Sequence, residues 1–147
     1  MKKLLVILLI GLMMGCQSQT QTHHYQYVVE HLFSTQEITY LNEDMINNDN
    51  QKIMDEFKKV YGDYVTERCL TTLVTELSVF QTIAYSKDKD MSVSHFEMKE
   101  NKDYMEIKCK VKVNNQEEDI VLHGQELDGK ISSLRLMNGE ELDKILQ

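Results

Sequence analysis

The chain has 147 residues and a formal net charge of -8, from 24 acidic and 16 basic side chains. A length of this order fits one domain, and so acidic a surface excludes a backbone-binding nucleic-acid protein or one that lies flat on anionic lipid. Hydrophobic residues make up 41% of the chain, enough for one core, which argues against intrinsic disorder.

Met1 is followed by Lys2 and Lys3, and Leu4 to Gly15 then run without a charge. This is the positive n-region and apolar h-region of a secretory signal. It is too short to span a bilayer, which takes about 20 apolar residues. It also lacks the polar face that a helix of a globular protein keeps. The apolar run stops at Cys16 and gives way to Gln17 and Ser18. Met13-Met14-Gly15-Cys16 resembles the lipobox of bacterial lipoproteins, with Gly15 as the small residue before the cysteine and Met13 where leucine is usual. The resemblance implies that the Cys16 thiol carries diacylglycerol and that the chain is cut between Gly15 and Cys16. Residues 1-15 would then be the signal peptide, and the membrane a partner held through lipid on the extracytoplasmic side. Two acyl chains at about 0.8 kcal/mol per buried CH₂ anchor firmly. Without residues 1-15 the chain has 132 residues, with 14 basic against 24 acidic, a net charge of -10. Such a body should stand off the bilayer on its tether.

Gln17 to Gln26 contains no aliphatic residue, so 16-26 is expected to be a flexible spacer and 27-147 a single domain. His23 and His24 have no third ligand nearby in sequence, and no metal site is assigned to them. Tyr27, Val28, His31 and Leu32 recur at helical spacing and predict a helix over Tyr25 to Phe33. Within residues 43-62, Ile46, Ile53, Met54, Phe57, Val60 and Tyr61 mark a second amphipathic helix, with Gly62 as its stop. The broadest apolar stripe, Cys69, Leu70, Leu73, Val74, Leu77, Phe80 and Ala84, predicts a third helix from Thr66 to Tyr85.

After residue 90 the period changes to two. A strand is expected at Met91 to Met98. In the next, Met105, Ile107, Cys109, Val111 and Val113 alternate with charged residues. Asn114-Asn115 offers a two-residue turn, setting Lys112 opposite Glu117, Lys110 opposite Asp119, Cys109 opposite Ile120 and Ile107 opposite Leu122. Asp128-Gly129 makes the next turn. Strict pairing beyond it would put Arg135 on the dry face opposite Leu122, so a bulge is expected near Gly124 that brings Leu127, Leu134 and Leu136 inside. A last helix, Glu140 to Leu146, presents Leu142, Ile145 and Leu146.

The expected fold is α+β: three N-terminal helices packed on a curved four-stranded antiparallel meander, with a short C-terminal helix. This order of elements resembles the nuclear-transport-factor-2-like, or cystatin-like, cone fold. Enzymes of that family use an acidic base with a tyrosine and aspartic acid pair, and no residues here match that constellation. No catalytic signature appears: G-x-S-x-G, H-E-x-x-H, a Gly-rich phosphate loop and C-x-x-C are all missing. His95 and His123 fall in strands and read as structural. Cys69 and Cys109 fall on core-facing positions. They can pair outside a reducing compartment, closing a loop of about 40 residues for roughly 4 kcal/mol, or stay as two buried thiols. The functional expectation is a non-enzymatic binding or assembly module with no cofactor, holding a protein partner or a small ligand at the cell surface. Its inward residues, Ile107, Cys109, Ile120, Leu122, Leu134 and Leu136, would pack on Leu70, Leu73 and Leu77 and leave no polar cavity of ligand size. The alternative is a small hydrolase or isomerase using the cone as a pocket.

Overall fold

A computed structural model describes residues 22-36 and 50-147. Gly15 and Cys16, the signal segment, and residues 43-49 of the predicted second helix, Ile46 included, lie outside the described residues.

Helix α1 covers residues 22-32. Tyr25, Val28, Val29 and Leu32 form its inward stripe and are fully buried. This corrects the spacer boundary: the helix reaches back to Thr22, and Tyr25 belongs to the core. The polar tract reads as a linker because its one inward residue there is an aromatic, while Thr22, His23 and Gln26 form the solvent face of the same helix. Helix α2, Asn50–Tyr61, turns Ile53, Phe57 and Tyr61 inward. Helix α3, Glu67–Thr72, starts at Thr66, whose side chain caps it by accepting from the Cys69 N–H at 3.3 Å. It passes through a π-helical turn, Leu73–Leu77, into α4, Ser78–Ser86. Every member of the predicted stripe from Cys69 to Ala84 is buried. Buried Gln81 on α4 donates to the carbonyls of His31 and Ser34, 3.0 Å each, and so ties down the end of α1.

Four strands follow, β1 (Met91–Glu100), β2 (Met105–Val113), β3 (Gln116–Leu127) and β4 (Lys130–Leu136), paired antiparallel in the order β1-β2-β3-β4. The chain is therefore α+β, with helices before an open meander and one more after it. The β2–β3 register pairs Lys112 with Glu117, Lys110 with Asp119, Cys109 with Ile120 and Ile107 with Leu122, as the alternation predicts. Ile107, Cys109, Val111, Val113, Ile120 and Leu122 are buried, and Lys110 reaches Glu117 at 3.1 Å on the wet face. Helix α5, Gly139–Leu146, closes the core with Leu142, Ile145 and Leu146.

The sheet carries two bulges, one between β3 and β4 and one between β1 and β2. Between β3 and β4, Gln125 pairs with Ser133 and Glu126 with Ile131, so the extra residue is Ser132 on β4. The expected bulge exists, on the other strand. Leu134 is buried and Leu136 packs partly against the core, as expected, but Leu127 is 60% exposed. Because β3 runs on uninterrupted, the alternation that turns Ile120, Leu122 and Gly124 inward carries Leu127 out. Ile131 takes the inner place beside it. In β1, Ser94 pairs with Lys110 and Glu97 with Lys108, so His95 and Phe96 together oppose Cys109, and His95 takes a left-handed φ of 52°. The outer edge of β4 is covered at its start: Val65 makes a parallel bridge to Ile131, with Thr66 N–H donating to the Ile131 carbonyl and Ile131 N–H to that of Tyr64, 2.9 Å each.

Candidate functional site

The residues singled out in the sequence do not converge. His95 is exposed at the β1 bulge. His123 is on the wet face of β3, stacked on Tyr104 with ring centroids 4.1 Å apart and its Nε2 4.0 Å from Glu106. His23 is exposed, and His24 packs edge-on against Tyr64 at 5.3 Å. Among the described residues no three His, Cys, Asp or Glu side chains gather as a metal site would require. No helix among them is long and apolar enough to cross a membrane.

Cys69 and Cys109 are both buried free thiols. Burial pushes each up to about 12, with Glu30 and Asp119 adding to the effect at Cys109. Neither is therefore a nucleophile at neutral pH. A thiol reagent at mildly alkaline pH should label neither in the native protein and both once guanidinium unfolds it without reductant. Rapid native labelling would contradict the burial, and no labelling after unfolding would reveal a disulfide. The linkage has a definite sign. Each thiol is harder to ionise in the fold than in the unfolded chain, so the stability this gives is complete below the ordinary thiol value of 9.0 and is lost as pH rises from there towards about 12.

The site that sequence reasoning missed is at the Gly124 end of the sheet. A cavity of about 750 Å³ opens there between the start of α3, the β1–β2 connection and the bulged β3–β4 hairpin. This corrects the expectation of a filled interior. The inward residues named from the sequence lie in one core, Leu136 at its margin, and the cavity forms beyond them, where β3 supplies a glycine instead of an aliphatic side chain. A Cβ on Gly124 would lie 2.3 Å from Tyr25 Cε1, so the Tyr25 ring occupies the space a side chain would take. The Tyr25 hydroxyl is buried and has no hydrogen-bond partner. Burial, then the nearby Glu126 carboxylate, then the Cys69 thiol push this phenol well above its ordinary value, so it stays protonated.

The cavity wall mixes polar side chains with the apolar surfaces of Met105, Leu127 and two tyrosines. Ser132 and Ser133 come from the β4 bulge and Thr66 from the α3 cap. Asn101, Lys102, Asp103 and Tyr104 come from the β1–β2 connection, which Gln125 Nε2 ties to β3 through the Asp103 carbonyl at 3.2 Å. The sequence contains two arginines, Arg68 and Arg135, and both line this cavity. Among the described residues neither guanidinium donates a hydrogen bond or enters an ion pair. Two guanidinium forks, several hydroxyls and three carboxylates can bind a polar ligand. The lining has no histidine or cysteine, so its serine hydroxyls have no imidazole base beside them.

The chain matches no family model, no curated protein and no solved structure. The signal for the cavity was present in the sequence as two arginines, one just inside the third helix and one in the last strand, together with a glycine on the inner face of β3. Nothing in the spacing of Arg68 and Arg135 says that both come to the Gly124 end of the sheet, Arg68 from the start of α3 and Arg135 from the outer face of β4, where it pairs with His123. That depends on the β4 edge running beside the entry to α3.

Proposed function

We propose that the protein is a lipid-anchored, extracytoplasmic binding module, tethered through Cys16 and taking a small polar ligand in the cavity at the Gly124 end of its sheet. The observation that carries the binding role is the cavity itself: about 750 Å³, with both arginines of the chain and a buried, unpartnered tyrosine hydroxyl in its wall. The two lysines, the uncharged run and Gly15-Cys16 support the tether. Helices before a meander bent by two bulges support a cone of the nuclear-transport-factor-2-like kind, with the cavity towards one end of the sheet. The mature body, at a net charge of -10, is repelled by anionic headgroups, which leaves the cavity open to solvent above the bilayer.

One observation favours the alternative of a small isomerase or hydrolase: the wall of the cavity carries the Glu126 carboxylate, which can act as a base towards a bound substrate. The lining holds no imidazole to activate its serine hydroxyls, which weighs towards binding.

The tether is tested by fractionation. Wild-type protein should sediment with membranes and carry diacylglycerol on Cys16, while Cys16→Ala should lose the modification and leave the membrane fraction or stay uncleaved. Mass spectrometry showing an unmodified Cys16 in the wild type, or a cut well beyond it, would overturn the tether.

A further inference from the structure

Resting on the reading of Cys16 as the lipid anchor, we infer that the Gly124 end of the domain is its membrane-facing pole, with Leu127 resting on the phospholipid headgroup layer and the cavity opening into the water just above it. Helix α1 runs along the sheet from one end to the other. Its first turn is fixed at the Gly124 end, where the Tyr25 ring packs on Gly124, which pairs with Met105. The chain just past its last turn is fixed at the opposite end, where the Thr35 N–H donates to the Met91 carbonyl at 2.9 Å and the Met91 N–H to the Thr35 hydroxyl at 2.8 Å. Met91 pairs with Val113, beside the β2–β3 turn. The tether therefore joins the domain at the end that holds the cavity. Between Cys16 and Thr22 lie only residues 17-21, which span at most about 20 Å when fully extended. Strand β3, with 12 residues, is about 40 Å long. The tether is too short to let the domain invert and set its β2–β3 turn on the bilayer.

Charge and exposure agree with that orientation. The cavity lining is balanced, with Arg68, Lys102 and Arg135 against Glu100, Asp103 and Glu126. The chain as a whole has 24 acidic side chains against 16 basic, so its excess of carboxylates lies elsewhere. Anionic lipid repels that remainder more than it repels the balanced end, which turns the cavity towards the bilayer. Leu127, in the cavity lining beside the β3–β4 turn, is 60% exposed, the most exposed large hydrophobic side chain among the described residues. On a free protein a single exposed leucine calls for no explanation. Here the anchor holds it within reach of the headgroups at all times, so a contact too weak to recruit a free protein is populated. Across so narrow a gap the cavity admits small solutes of the headgroup layer and excludes a folded soluble partner.

The chain contains no tryptophan, so a single introduced indole reports on one position. The test uses the full-length, lipid-modified protein in vesicles of phosphatidylcholine with a minor share of phosphatidylglycerol, part of the phosphatidylcholine carrying a nitroxide on its headgroup. Lys102→Trp places the reporter on the exposed β1–β2 connection at the Gly124 end, and Asn115→Trp places it on the exposed β2–β3 turn at the other. The nitroxide should quench Lys102→Trp severalfold more than Asn115→Trp. Adding Leu127→Ser to Lys102→Trp should weaken its quenching by about twofold or more, because the apolar contact with the interface is lost. The melting curve should stay that of the parent, since Leu127 is exposed. Equal quenching at the two positions, or more at Asn115→Trp, would overturn the orientation. Quenching of Lys102→Trp that is unchanged by Leu127→Ser would overturn the Leu127 contact. Mass spectrometry of the same preparation separates this inference from the tether. Absence of lipid on Cys16 would overturn both, whereas lipid-modified protein quenched equally at its two ends would overturn this inference alone.

Discussion

Ile107→Asp should destabilise the domain by about 4 kcal/mol or more, a large share of the roughly 5–15 kcal/mol that holds a domain of this size folded. Ile107 is fully buried on β2, paired with Met98 on one side and Leu122 on the other. Removing its branched side chain alone costs about 2–5 kcal/mol through lost transfer energy and the cavity left behind. The carboxylate must then be buried without a partner or enter the core protonated, and either adds to the penalty. Three residues along the same strand, Lys110→Asp should leave the melting temperature close to that of the parent. Lys110 is solvated and bonded to Glu117 at 3.1 Å, and exposed ion pairs contribute little. Thermal melts ranking these two variants the other way would put the wrong face of β2 in the core.

That contrast rests on a feature legible in the sequence, and the reason is physical. In β2 the side-chain period of two and the charge pattern of β3 constrain each other. A slip of one residue would set lysines against Ile120 and Leu122, so one register satisfies both faces. The β3–β4 hairpin is less determined. Parity shows that one extra residue is needed, but an insertion on either strand restores it, and only packing against the segment entering α3 selects Ser132. The bulge in β1 did leave a trace, since the apolar residues there change from odd positions, Met91 and Val93, to even ones, Phe96 and Met98. Reading β1 as one regular strand misses it. The cavity was least legible. It is made by residues far apart in the chain and depends on an aromatic side chain, Tyr25, from a stretch whose composition reads as a linker.

Gly124→Val is expected to destabilise the protein by about 2–3 kcal/mol, and the same change should turn neutral or stabilising once Tyr25 is replaced by alanine. A glycine inside a strand normally weakens it, because a β-branched residue orders the backbone better and packs on the pleated surface. On propensity alone, valine at this position would be an improvement. The obstacle is space: a Cβ here would meet Tyr25 Cε1 at 2.3 Å and both Cζ and the hydroxyl oxygen at 2.8 Å. The Tyr25 ring is fully buried in the helix α1 stripe, so it can yield only by tilting towards the cavity or by shifting α1 against the sheet. Either movement reshapes the part of the cavity wall that Tyr25 supplies. Denaturant melts of wild type, Gly124→Val, Tyr25→Ala and the double variant form a closed cycle. A coupling free energy near zero would mean that Tyr25 does not stand on Gly124, and the cavity wall as described would be wrong.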